Sequence, residues 1–117
     1  GIMICYDTVF PGVAETLTKK GAQILFSPSR IVKRGIQPWQ MYVQVRALEN
    51  RIPIIAANVE DEKFGGNSMI IDMQEDDQVM NTKIIKLNGE ASHSVKFDLK
   101  KYEESRMKRF SDLNKFQ

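Results

Sequence analysis

The chain has 117 residues, 42% hydrophobic and 27% charged, a balance that fits one small globular domain and argues against disorder. No apolar run approaches the roughly 20 residues of a membrane helix, and the start lacks the basic and long apolar stretches of a signal peptide, so no membrane partner is expected. A net charge of +2 spread along the chain gives no reason to expect nucleic acid, and one Cys and one His give none to expect a disulfide, a metal or another cofactor; the lone Cys suits a reducing cytoplasm.

Ile2, Met3 and Ile4 form a short apolar run that predicts a central strand buried on both faces, followed by a turn at Tyr6, Asp7 and Thr8. Pro11 suits the first turn of a helix. Phe10, Ala14 and Leu17 then share one face, while Lys19, Lys20 and Gly21 supply a basic end and a stop. GAQILFSPS predicts a second buried strand through Ile24, Leu25 and Phe26, ended by Ser27, Pro28 and Ser29 and parallel to the first. A basic loop, RIVKRGIQP, leads to the amphipathic helix WQMYVQVRALENR. Met41, Val45 and Leu48 share its apolar face, flanked by Trp39, Val43 and Ala47; Arg46 and Glu49 are spaced to pair on the polar side. IPIIAANV is a third buried strand, and FGGNSMIIDM, VMNTKIIKL and SVKFDL, separated by QEDDQ and NGEAS, predict an antiparallel meander. Residues from about 100 to 117 read as a charged helix or arm anchored by Tyr102, Met107, Phe110 and Phe116. No interior linker interrupts the sequence, so residues 1–117 read as one domain.

Read alone, Cys5 has two uses. A free cysteine at the end of a buried strand most often packs as a small hydrophobe. At a strand-to-helix turn, however, it would stand at the carboxyl edge of a parallel sheet, with the Tyr6 N–H available to a developing oxyanion. A cysteine nucleophile needs a base or a cation. His93 sits among turn and edge residues in SHSVKF and reads as a surface residue, and Asp7 reads as a helix cap or an ion-pair partner, so the residues assign no general base. Arg30, Lys33 and Arg34 make a solvated loop placed where it could meet an anionic substrate. Gly65 and Gly66 match no phosphate-binding spacing and predict a bulge or a close backbone approach, and Trp39 reads as helix packing.

Taken in order, ICYD with FP, GA-x-I-L-x-x-PS, W with R-A-x-E-N, a strand ending AAN, and G-x-S leading into IID resemble the carbon-nitrogen hydrolase (nitrilase) superfamily. The motifs run from residue 1 to about 73, with a similar F-D-L and terminal arm after them. The resemblance implies an α/β fold, part of a four-layer αββα sandwich, and a Cys-Glu-Lys triad that hydrolyses a non-peptide carbon-nitrogen bond through a thioester acyl-enzyme. Cys5 matches the nucleophile and Tyr6 the residue whose backbone N–H holds the oxyanion; Asp7, Ser29, Arg30, Arg46, Glu49, Asn58 and Ser68 match pocket or scaffold positions. The family's Glu and Lys precede the Cys motif and are not in this sequence, which implies a C-terminal half that is inactive alone.

Gly12 stands where relatives often carry Glu, and Ile31 where an aromatic is common. C-Y-D in place of C-W-E points to a small-molecule amide or carbamoyl-amide substrate over a nitrile. By analogy with the family, a homodimer or higher oligomer is expected, the dimer forming through the helices near residues 10–20 and 39–50, with the C-terminal arm crossing to the partner. The competing readings are a non-catalytic assembly module, a nitrile-hydrolysing member, and a self-contained Cys-His hydrolase using His93.

Overall fold

Two short segments, β1 (Leu25–Ser29) and β2 (Ile54–Asn58), lie side by side and parallel, with Leu25 opposite Ile54 and Ser29 opposite Asn58. The computed structural model describes residues 1–116, so Gln117, the last residue of the expected arm, lies outside the described residues. Two longer antiparallel strands, β3 (Met69–Asp76) and β4 (Val79–Lys86), complete a four-stranded sheet in the order β1-β2-β3-β4. Asp77 and Gln78, both at positive φ, make the tight turn between them, so the expected QEDDQ turn is shorter than read because Glu75 and Asp76 pair within the ladder.

The chain start lies along the free edge of β1. The Phe26 N–H donates to the Gly1 carbonyl at 2.8 Å and the Met3 N–H to the Phe26 carbonyl at 2.9 Å, giving a single parallel bridge between Ile2 and Phe26. β1 continues through Pro28, beyond its expected end, because the missing N–H falls where the first strand has already left the ladder.

Two helices, α1 (Pro11–Lys19) and α2 (Ile36–Asn50), cover one face of the sheet, and a third, α3 (Glu103–Asn114), docks at the C-terminal end of α2. Met3, Ala14, Leu25, Trp39, Val43, Ala47, Ile54, Ile71, Met73 and Tyr102 fill the space between helices and sheet. The opposite face is largely uncovered by the described residues, although Ile70 is buried on it, which corrects the expectation for the first strand. Only Met3 is buried; Ile2 and Ile4 are each 62% exposed, beside an exposed Phe26, because their side chains point away from the helices. The α2 stripe is split for a similar reason. Trp39, Val43 and Ala47 enter the core, while Met41 and Val45 face solvent.

SVKFDL alternates as expected, with Val95, Phe97 and Leu99 half-buried, but it pairs with no strand and is not one. In the terminal helix the anchors are Tyr102 and Arg106; Met107 and Phe116 are exposed. The Tyr102 hydroxyl donates to the Met73 carbonyl, and α3 crosses the C-terminal end of α2, whose unsatisfied carbonyls attract cations. Arg106 donates from Nε and Nη2 to the Arg51 carbonyl at 3.1 and 2.9 Å, and Arg109 donates to the Glu49 carbonyl. Arg51 turns the chain out of α2 at φ 50° and donates to the Leu48 carbonyl.

This docking predicts that Arg106→Met, which keeps the aliphatic stem and removes the donors, lowers unfolding free energy by about 1 to 2 kcal/mol. Urea denaturation measures it, and an unchanged midpoint would contradict the docking.

Candidate active site

Cys5 sits where the first strand breaks into a 3-10 turn, Cys5–Val9. Its backbone is left-handed, at φ 50°, a conformation that costs a residue with a β-carbon about 1 to 2 kcal/mol. Such a position persists only where its surroundings over-determine it, and three sets of contacts do so. Asp7 closes the turn on itself, with Oδ2 accepting from the Ile4 N–H at 3.0 Å and its own N–H donating to the Ile4 carbonyl at 3.0 Å. Asp7 therefore caps the turn that carries Cys5 and not the helix that follows. Thr8 Oγ1 and Ser27 Oγ, both buried, share a 2.9 Å hydrogen bond that ties the turn to β1.

The third contact is Arg46. Expected on the polar side of α2, it is instead buried, and its guanidinium is spent on the turn: Nε donates to the Thr8 carbonyl at 2.9 Å and Nη2 to the Val9 carbonyl at 3.0 Å. Nη1 pairs with Glu49 Oε2 at 2.9 Å, which bears out the expected i,i+3 pairing. Buried Asn50 donates to the Arg46 carbonyl at 2.9 Å. One planar cation thus satisfies the carbonyls that leave the turn while a carboxylate balances its charge.

The Cys5 side chain is half-buried and unbridged. Among the described residues, no hydrogen bond uses the Tyr6 N–H, and none joins the Cys5 thiol to His93, which is exposed in the segment after β4. The Tyr6 ring is exposed and meets Phe10 edge-on at 5.0 Å between centroids.

Ser29 ends β1 and Arg30 follows it. Ser29 is buried, with its carbonyl accepting from the Val59 N–H at 3.2 Å. Asn58, at the end of β2, fastens two loops. Oδ1 accepts from the Ile31 N–H at 2.7 Å, Nδ2 donates to the Gly66 carbonyl at 2.8 Å, and the Asn58 N–H donates to Ser68 Oγ at 2.9 Å. A β-carbon on Gly65 would lie 2.4 Å from Ile36 Cγ1, and Gly66 holds φ +62° against the Glu60 side chain, so the glycine pair serves a close approach of the loops. The sequence-derived residues therefore form two groups along one sheet edge: Cys5, Tyr6 and Asp7 braced by Arg46 and Glu49, and Ser29 and Arg30 braced by Asn58 and Ser68.

Residues 1–83 match the family profile described as carbon-nitrogen hydrolase. The chain belongs to this family. It is 41% identical over 75 residues to a probable nitrilase of Schizosaccharomyces pombe and 37% identical over 78 residues to a deaminated glutathione amidase of Synechocystis, matches that cover 61% and 62% of the chain and 28% and 29% of those proteins. The chain thus spans less than a third of the length of these curated relatives. Its fold is that of a carbon-nitrogen hydrolase from Helicobacter pylori, at TM-score 0.64 and 24% identity over 92% of this chain and 43% of that one. The sheet with helices on one face is accordingly part of a nitrilase-type α/β fold.

The motif residues of the family include neither Thr8 nor Ser27 as read from sequence, although both brace the turn. A serine at the middle of the apolar strand LFSPS was the available signal.

Replacing Arg46 by Leu strands the Thr8 and Val9 carbonyls and leaves Glu49 unpaired, with an expected loss of about 2 to 4 kcal/mol. Arg46→Lys recovers only part of it, since an ammonium cannot reproduce the planar three-way contact. Thermal or urea unfolding of both variants checks the order, and a lysine variant as stable as wild type would contradict it.

Proposed function

We propose that these residues carry the nucleophile of an amidase-type carbon-nitrogen hydrolase whose substrate is a small-molecule amide or carbamoyl amide. The single observation that carries the reading is the left-handed, braced backbone at Cys5, with the neighbouring Tyr6 N–H unspent. In the reaction, the Cys5 thiolate attacks the amide carbon, and negative charge gathers on oxygen near the Tyr6 N–H. Collapse breaks the C–N bond, the nitrogen leaves as amine or ammonia with a proton, and the acyl group stays on sulfur as a thioester. Water then attacks the thioester, releasing a carboxylic acid and restoring the thiol. No cofactor takes part in these steps.

The proton transfers need a base, and no Glu, Lys or His hydrogen-bonds Cys5 among the described residues. We assign the base and the carbonyl-polarising cation to the Glu and Lys that the family places before its cysteine motif, so the 117 residues alone are inactive. The lone cysteine suits a reducing cytoplasm.

The exposed Pro38, Met41, Tyr42 and Val45 on α2 favour the expected homodimer, since they form an apolar patch that no described residue covers. Met41→Glu with Val45→Glu should shift the whole protein from dimer to monomer in sedimentation; an unchanged sedimentation coefficient would place the dimer elsewhere.

Cys5→Ala in the whole protein should abolish hydrolysis of a simple amide, at least a thousandfold, while leaving the circular dichroism spectrum and melting temperature near wild type. Activity retained in a folded variant would remove Cys5 from the chemistry.

A further inference from the structure

A cleft of about 700 Å³ lies where α3 docks, between α1, the C-terminal end of α2 and the β3-β4 turn. Its size suits a small molecule. Cys5 does not line it, and no step of the amide reaction uses it. One wall is apolar, with Pro11, Met80, Phe110 and Leu113, and the other carries charges of both signs. The Phe110 ring is held from α1 by Lys19, whose ammonium lies 5.5 Å from its centroid.

The charged wall is unbalanced. Most of its carboxylates already have a cation: Glu15 pairs with Lys19, Glu49 with Arg46, and Asp112 with Lys108 and Lys115. Glu75 is the exception, with no ion pair among the described residues. Two cations of the same wall, Arg51 and Arg109, also have no carboxylate in salt-bridge range among the described residues. The unmatched charge is therefore positive.

The docking of α3 brings these two guanidiniums to the same end of α2. Arg109 donates from Nε to the Glu49 carbonyl, and Arg106, one helical turn earlier, donates to the Arg51 carbonyl. These bonds answer the carbonyls at the negative end of α2 and leave Nη1 and Nη2 of Arg109 with no acceptor among the described residues. Arg51 donates from Nη1 to the Leu48 carbonyl, which leaves its Nε and Nη2 open in the same sense. Burial, and after it the charge of Arg109, lowers the pKa of the half-buried Arg51, while Glu75 raises it. Two like charges are thus close together, and a bound oxyanion would offset their repulsion and accept from the open donors.

We propose that this cleft is a second binding site, for an organic oxyanion with an aromatic body, its charged group between Arg51 and Arg109 and its ring against Phe110 and Met80. The site is independent of the amidase reading of Cys5. Calorimetric titration of the whole protein with naphthalenesulfonate tests it, with the neutral naphthalenesulfonamide as control. Wild type should bind one sulfonate per chain, and the sulfonamide about tenfold more weakly or less. Arg109→Gln should weaken sulfonate binding by about 10- to 100-fold. Glu75→Gln, which removes the unpaired carboxylate, should tighten it by about threefold. No sulfonate binding up to about 1 mM, equal binding of the sulfonamide, or an unchanged affinity in a folded Arg109→Gln variant would overturn the site. If Arg109→Gln fails to fold, Glu75→Gln decides: tighter sulfonate binding supports the site, and unchanged or weaker binding overturns it.

Discussion

A buried guanidinium holds the Cys5 turn in place. Arg46 reaches from α2 to the carbonyls of Thr8 and Val9, 38 and 37 residues earlier in the chain, and is balanced by Glu49. Burying a charge is costly unless it is paired and hydrogen-bonded, and here Glu49 supplies the pair and each guanidinium nitrogen has an acceptor. The outcome is a turn that cannot relax, so the left-handed backbone at Cys5 is maintained at the expense of interactions elsewhere. Asp7 within the turn and the Thr8-Ser27 pair beneath it complete the same restraint from two other directions.

The arrangement gives each residue of R-A-x-E-N a physical task at the C-Y-D turn. Arg46 and Glu49 need one helical turn between them to share the ion pair, Ala47 must be small and apolar to enter the core beside them, and Asn50 ties off the carbonyl of Arg46. The shape of the Cys5 turn depends on a contact between elements far apart in the chain. The second group, Asn58 and Ser68 with the glycine pair, does equivalent work for the loop after β1, so both strands that lead to the sheet edge end in rigid, hydrogen-bonded turns.

Much of this was legible before any coordinates. β1 and β2 follow from short apolar runs, α1 from Pro11 and Gly21, and the Arg46-Glu49 pair from spacing alone. The Cys5 turn as a candidate site needed the ordered motifs, since a lone cysteine after an apolar run has no distinctive pattern. What could not be read has a common physical origin, which is that burial depends on what covers a face. Arg46 looks solvent-facing on a helical wheel, yet carbonyls from the Cys5 turn draw it inward. Met41, Val45, Ile2 and Ile4 look like core residues, yet no described residue covers them. SVKFDL has the alternation of a strand but no ladder partner, and α3 is held by Tyr102 and Arg106 instead of by its most apolar side chains.

The central claim is that the restrained turn presents Cys5 as a nucleophile. Intact-mass and peptide spectrometry of the whole protein, quenched in acid during turnover of an amide, tests it most directly. The account predicts an adduct with the mass of the acyl group on the peptide containing Cys5, removed by hydroxylamine as a thioester would be. An enzyme that turns over the amide without ever carrying an acyl group on Cys5 would contradict it.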